Sequence, residues 1–317
     1  MPVRRMPTAT METFKMEEIN FTSGGLRCAA DLYLPADLAP GERRPALVIG
    51  HGFSLVKSML ADQADCFQAA GFIVLAIDYR SFGNSAGEPR GQLFPLNQAE
   101  DYRNAISYLQ ARDDVDVDRI GLWGASFAGA MVTYVAAIDR RVKVAVALVP
   151  VTDGFKWMKL LRNEIQFEEL LAAVEADRTK RDNTGAGDRI PVISATGELC
   201  GIPCGDDIVE FFTAAEAAFP TWAKTITLES IERILEFSPL SFVHRISPRP
   251  YLIISTAGYD IVHPAWTVAE LFEHAREPKR LEFLPFDQIG LYSEPGLSTS
   301  NNLARDFFLD QLGPVAR

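Results

Sequence analysis

The chain has 317 residues, 48% hydrophobic and 23% charged, which is apolar enough to bury a large core and too apolar for a disordered tail. A formal net charge of -11 repels phosphate backbones, and no stripe of Lys and Arg interleaved with aromatics offsets it, so nucleic acid is excluded as a partner. No uncharged apolar run is long enough to span a bilayer and none follows the basic residues near the start, so no membrane is expected, and the pattern predicts a cytoplasmic protein with a flexible N-terminus over residues 1–15.

From residue 16 the sequence reads as a hairpin, 17–21 and 26–34, turning at Ser23-Gly24-Gly25. Alternation of apolar strands and periodic helices follows. PALVIG (45–50) is a strand, 58–70 a helix closed by Gly71, and FIVLAIDY (72–79) a strand. Residues 98–111 form an amphipathic helix, IGLWG (120–124) a strand, 127–138 a helix, and VKVAVALVP (142–150) a strand. Strands that are apolar throughout are buried on both faces, so the sheet is parallel and covered by helices on both sides.

The alternation stops at residues 154–240, where helical stretches such as 156–178 surround a Gly- and Pro-containing segment at 184–207 with no good buried strand. It resumes with YLIIST (251–256), a helix over 264–275, RLEFLP (280–285) and a last helix over 302–312. The simplest organisation is one α/β core, residues 16–153 and 241–317, interrupted by a helical lid at 154–240.

The segment IGLWGASFAGAM carries the chemistry, because an apolar strand runs through Gly124-Ala125-Ser126-Phe127-Ala128-Gly129 directly into a helix. A turn that sharp needs small residues two before and two after its apex, since a larger side chain would meet the neighbouring backbone. Gly124 and Ala128 satisfy that demand and leave Ser126 as the candidate nucleophile.

With HGF (51–53), DYRSFGNSAGEPR (78–90), EDYRNAISYLQ (100–110), DRIGLWGASFAGA (118–130) and SPRPYLII (247–254), the sequence resembles the dienelactone-hydrolase-like branch of the α/β-hydrolase superfamily. The resemblance covers about residues 16 to 315 and implies an α/β-hydrolase fold with a mostly parallel eight-stranded sheet. It also implies an oxyanion hole at His51-Gly52-Phe53, and the amides of Phe53 and Phe127 suit that role because each would aim a donor at a developing oxyanion. The chain order of the superfamily, Ser then acid then His, places the acid in the loop after YLIISTAG, at Asp260.

The resemblance puts the histidine in a Pro-x-x-His-x-x-x-Tyr loop, where this chain reads Pro285-Phe286-Asp287-Gln288-Ile289-Gly290-Leu291-Tyr292. Gln288 therefore stands where the base is expected, and a carboxamide has no basic nitrogen. Of the four histidines, His51 belongs to the oxyanion strand, while His244 and His274 lie away from the site. His263 is the substitute candidate, three residues from Asp260 and by spacing badly placed to reach Ser126. These readings predict an enzyme acting on the carbonyl of a small ester, lactone or acyl compound, with hydrolytic competence in question. The alternatives are a non-hydrolytic cyclase, lyase or isomerase of secondary metabolism and a ligand-binding pseudoenzyme.

Aromatics recur through the insertion, and Trp157 and Trp222 are the candidate substrate-binding rings, with packing of the lid or of a second subunit as the competing role. Cys200 and Cys204 lack a further ligand for a metal site, so no metal and no cofactor is expected. A homodimer is compatible with the sequence.

Overall fold

A computed structural model describes residues 15–195, 197–216 and 218–313. The expected flexible N-terminus falls, except for Lys15, outside the described residues. The chain enters through the hairpin β1 (Lys15–Ser23) and β2 (Leu26–Leu34), then runs β3 (Arg44–Gly50), α1 (Ala61–Ala69), β4 (Ile73–Ile77), α2 (Pro95–Gln110), β5 (Val115–Ala125), α3 (Phe127–Ile138) and β6 (Val144–Leu148). These strands join β11 and β12, introduced below, in one eight-stranded sheet of order β1-β2-β4-β3-β5-β6-β11-β12. Only β1 and β2 run antiparallel to their neighbours. The six strands from β4 to β12 pair in parallel, as doubly buried apolar strands require.

Side chains alternate across a strand, and the sheet uses both sets. Ala46 and Val48 of β3 face one core layer with Tyr102 and Ile106 of α2 and Met131 and Val135 of α3. Leu47 and Ile49 face the other, with Phe67 of α1 and Phe308 of the C-terminal helix, whose rings meet edge to face at 5.6 Å between centroids. Burial on both faces locks the register, because a slip by one residue would exchange the two layers.

Between β6 and β11 the chain departs from the helical pattern read from sequence. It contains α4 (Gly154–Leu160), α5 (Glu164–Thr184), α6 (Asp206–Ala215) and α7 (Leu228–Leu235), and also four three-residue strands, β7 (Arg189–Pro191), β8 (Ile193–Ala195), β9 (Ile202–Cys204) and β10 (Thr225–Thr227). β7 pairs with β10 antiparallel and β8 with β9 in parallel. The single helix expected over 156–178 is two, because Asn163 caps the second by accepting from the Gln166 amide while the Gln166 side chain accepts from the Asn163 amide. Arg162 ties this junction to the small strands by donating to the carbonyls of Cys200 and Gly201 at 2.6 and 2.9 Å.

The core resumes with β11 (Tyr251–Thr256), α8 (Ala265–His274), β12 (Lys279–Leu284), the short α9 (Gln288–Leu291) and α10 (Gly296–Leu312). Among the described residues no helix is long and apolar enough to cross a membrane.

Candidate active site

Ser126 sits at the apex between the fifth strand and α3, with φ 57° and ψ -118°. That backbone state costs a non-glycine residue on the order of 1–3 kcal/mol and persists only where the surroundings hold it. Here β6 does so: the Ser126 amide donates to the Leu148 carbonyl at 2.8 Å, and the Val151 amide donates to the Ser126 carbonyl at 3.2 Å. The requirement for small flanking residues has a direct cause. A Cβ on Gly124 would lie 2.6 Å from the carbonyl carbon and oxygen of Ala128 and 2.9 Å from its Cβ.

The acid and an imidazole come from one loop after β11. Asp260 and His263 are both buried, and the Asp260 Oδ1 accepts from the amides of Val262 and His263 at 2.8 and 2.7 Å. This turn folds the chain back on the carboxylate. The second oxygen, Oδ2, then lies 3.1 Å from His263 Nδ1, and His263 Nε2 lies 2.8 Å from Ser126 Oγ. Burial raises the Asp260 carboxyl, but the facing His263 and the hydrogen bonds it accepts outweigh burial and hold it below the usual carboxylate range.

This geometry corrects the reading of the base. The imidazole at hydrogen-bonding distance of Ser126 is His263, three residues beyond the acid, and an imidazole is therefore present at the serine. Gln288 opens α9, which Asp287 caps by accepting from the Gly290 amide at 2.7 Å; the Gln288 side chain is outside the described part of the molecule. The other histidines lie elsewhere. His51 is fully enclosed, and burial lowers it to about 4, so it stays neutral. His274 is bonded to the Glu270 carbonyl within α8, and His244 lies in a short helical turn at 243–245.

Phe53 and Phe127 are brought together at the elbow. A Cβ on Gly52 would lie 3.5 Å from the Cβ of Ser126, so the 51–53 turn runs in contact with the serine. The Phe53 and Phe127 rings meet edge to face at 5.9 Å, and the Trp157 ring packs against both, at 5.5 and 5.8 Å. Trp157 was expected to touch ligand, yet it is buried behind these rings, and its Nε1 donates to the Val262 carbonyl at 2.9 Å. Its place is that of a brace, holding the turn that carries His263.

Trp222 does line the cavity above Ser126, a space of about 280 Å³. One wall comes from the core, including Gly52, Leu60, Trp123, Ser126 and His263; the insertion supplies the other through Val192, Ile202, Phe212 and Trp222. The lining is predominantly apolar, as small-molecule sites are. Among the described residues no group of His, Cys, Asp and Glu is arranged to hold a metal, and Cys200, in the insertion, is buried with its thiol pushed up to about 11.

A strand-turn-helix elbow at the centre of a mostly parallel eight-stranded sheet defines the class, an α/β hydrolase. A family model described as X-Pro dipeptidyl-peptidase (S15 family) matches residues 24–287, and the chain belongs to that family. It is 30% identical to a thiohydrolase, aneE, of Aspergillus aculeatus over 84% of each chain. It is also 30% identical to a polyketide transferase, grgF, of a Penicillium species, over 87% of this chain and 90% of that protein. The crystal structure of the α/β hydrolase GrgF from Penicillium sp. sh18 superposes with a TM-score of 0.79 at 27% identity, covering 94% of this chain and 99% of that one.

Proposed function

We propose that this protein is a serine-dependent acyl hydrolase or acyltransferase acting on the carbonyl of a small ester or thioester. The observation that carries the reading is the line of contacts from Asp260 Oδ2 through both ring nitrogens of His263 to Ser126 Oγ. With the Nδ1 proton directed at Asp260, Nε2 is the free base, and it takes the Oγ proton as Oγ attacks the carbonyl carbon. The oxygen becomes an oxyanion facing the Phe53 and Phe127 amides, the second of them at the start of α3. Collapse breaks the bond to the leaving oxygen or sulfur, which receives the proton from His263. The acyl-serine is then cleaved by water, or by an alcohol or thiol acceptor, whose proton His263 removes in turn.

The printed names of the relatives, a thiohydrolase and a polyketide transferase, support thioesters as the first substrates to try. An imidazole within reach of Ser126 supports acyl transfer to water or another acceptor over a base-free cyclase, lyase or isomerase and over a ligand-binding pseudoenzyme. The test is turnover of p-nitrophenyl esters and acyl N-acetylcysteamine thioesters of two to ten carbons by the native protein and by Ser126→Ala. The expected result is release of thiol or phenol that falls by about 10³-fold or more in the variant. Equal rates from both proteins would overturn the proposal.

A further inference from the structure

Tyr292 follows α9 and lines the cavity that Ser126 and His263 also line. The residue is half-buried. Among the described residues its hydroxyl has no hydrogen-bond partner, although its backbone amide is satisfied by the Ile289 carbonyl at 3.0 Å. A phenol on a residue that lines a predominantly apolar cavity, with no protein partner of its own, is a donor available to whatever fills the space. Burial, and after it the negative charge of Asp260, hold the phenol well above its ordinary range. It keeps its proton wherever the enzyme works.

We infer that the Tyr292 hydroxyl, in the apolar cavity beside the Ser126–His263–Asp260 site, donates a hydrogen bond to a neutral oxygen carried on the acyl chain of the substrate. This rests on the function proposed above and narrows its substrate to oxygenated acyl groups. The oxygen is neutral because its surroundings disfavour a carboxylate: Asp260 acts on the phenol, Asp62 lines the same cavity, and the chain carries a formal charge of -11. Leu60, Trp123 and Leu297, which line the same cavity, offer apolar surface to the hydrocarbon part of the chain. Tyr292 is thus a specificity-determining residue that acts by position. A site built to bond an oxygen discriminates against the analogue lacking it, because the site's own polar group is then left unpaired.

The experiment measures calorimetric binding of octanoyl N-acetylcysteamine and its 3-, 5- and 7-oxo derivatives to Ser126→Ala and to Ser126→Ala/Tyr292→Phe, so that no turnover is needed. The expected result is that one oxo position binds Ser126→Ala about tenfold more tightly than the plain chain, and that the preference collapses when the hydroxyl is removed. Absence of any oxo preference, or a preference that survives Tyr292→Phe, would overturn the inference. Phe differs from Tyr by one oxygen, and an unchanged melting temperature of the double variant shows that the fold is kept. Absence of an oxo preference in Ser126→Ala, when the native form turns over thioesters, marks failure of this inference alone. Preference in a protein that turns over nothing marks failure of the catalytic reading.

Discussion

His263→Ala is expected to lower kcat/KM by about 10³–10⁴-fold on the ester or thioester that the native protein turns over fastest, the scale attached to losing a member of a serine triad. The expectation follows from His263 being the imidazole beside Ser126, at 2.8 Å from Oγ, with the other histidines placed elsewhere. His263→Gln keeps volume and polarity without basicity and is expected to fall nearly as far, which separates loss of the base from loss of packing. Gln288→His, the replacement that a missing base would call for, is expected to change little, because the proton already has an acceptor. Kinetics of the three variants on one substrate check this. A large gain from Gln288→His with an active His263→Ala would move the base to the other loop.

Asp260→Asn is expected to cost about 10³–10⁴-fold in kcat with the fold retained. The carboxylate has two tasks. Oδ1 accepts the amides of Val262 and His263, and Oδ2 faces His263 Nδ1. A carboxamide can keep its oxygen for the two amides, but its NH2 then faces the ring. The imidazole answers by placing its proton on Nε2, where it points at Ser126 as a donor and can no longer accept the Oγ proton. The turn survives and the base does not, so the melting temperature should move little while kcat collapses. A variant that loses stability and activity together would assign Asp260 a mainly structural role.

The core was legible because its signals are long and periodic. Runs such as PALVIG and YLIIST lie in the sheet as β3 and β11, and the passage from buried strand to helix through small residues marks the turn at Ser126. The four strands of the insertion were not legible, for three residues carry no period. Their position is set by distant contacts, such as Arg189 donating to the carbonyls of Arg90 and Thr225. His263, named as the substitute candidate, was set second to the Gln288 position for a different reason. Spacing of three from the acid looks too short when the loop is imagined extended, but Asp260 bonds two amides of its own loop and so returns the ring to its own carboxylate. The readable signal was an Asp followed within three residues by His-Pro and a helix, a turn-forming order that the family pattern drew attention away from. Trp157 packs against Phe53 and Phe127 and bonds the Val262 carbonyl, the packing role that stood beside ligand contact, since an aromatic in this segment looks the same in sequence in either role.

The most direct measurement is the rate at which a fluorophosphonate labels the native protein and His263→Ala, followed by intact mass and by mapping of the modified peptide. Phosphonylation needs an activated serine and no knowledge of the substrate, so it isolates the contact between His263 and Ser126. The expected result is one adduct per chain, on Ser126, formed rapidly by the native protein and slower by orders of magnitude in the variant. Equal labelling rates in the two proteins, or a native protein left unmodified at Ser126, would contradict activation of Ser126 by His263.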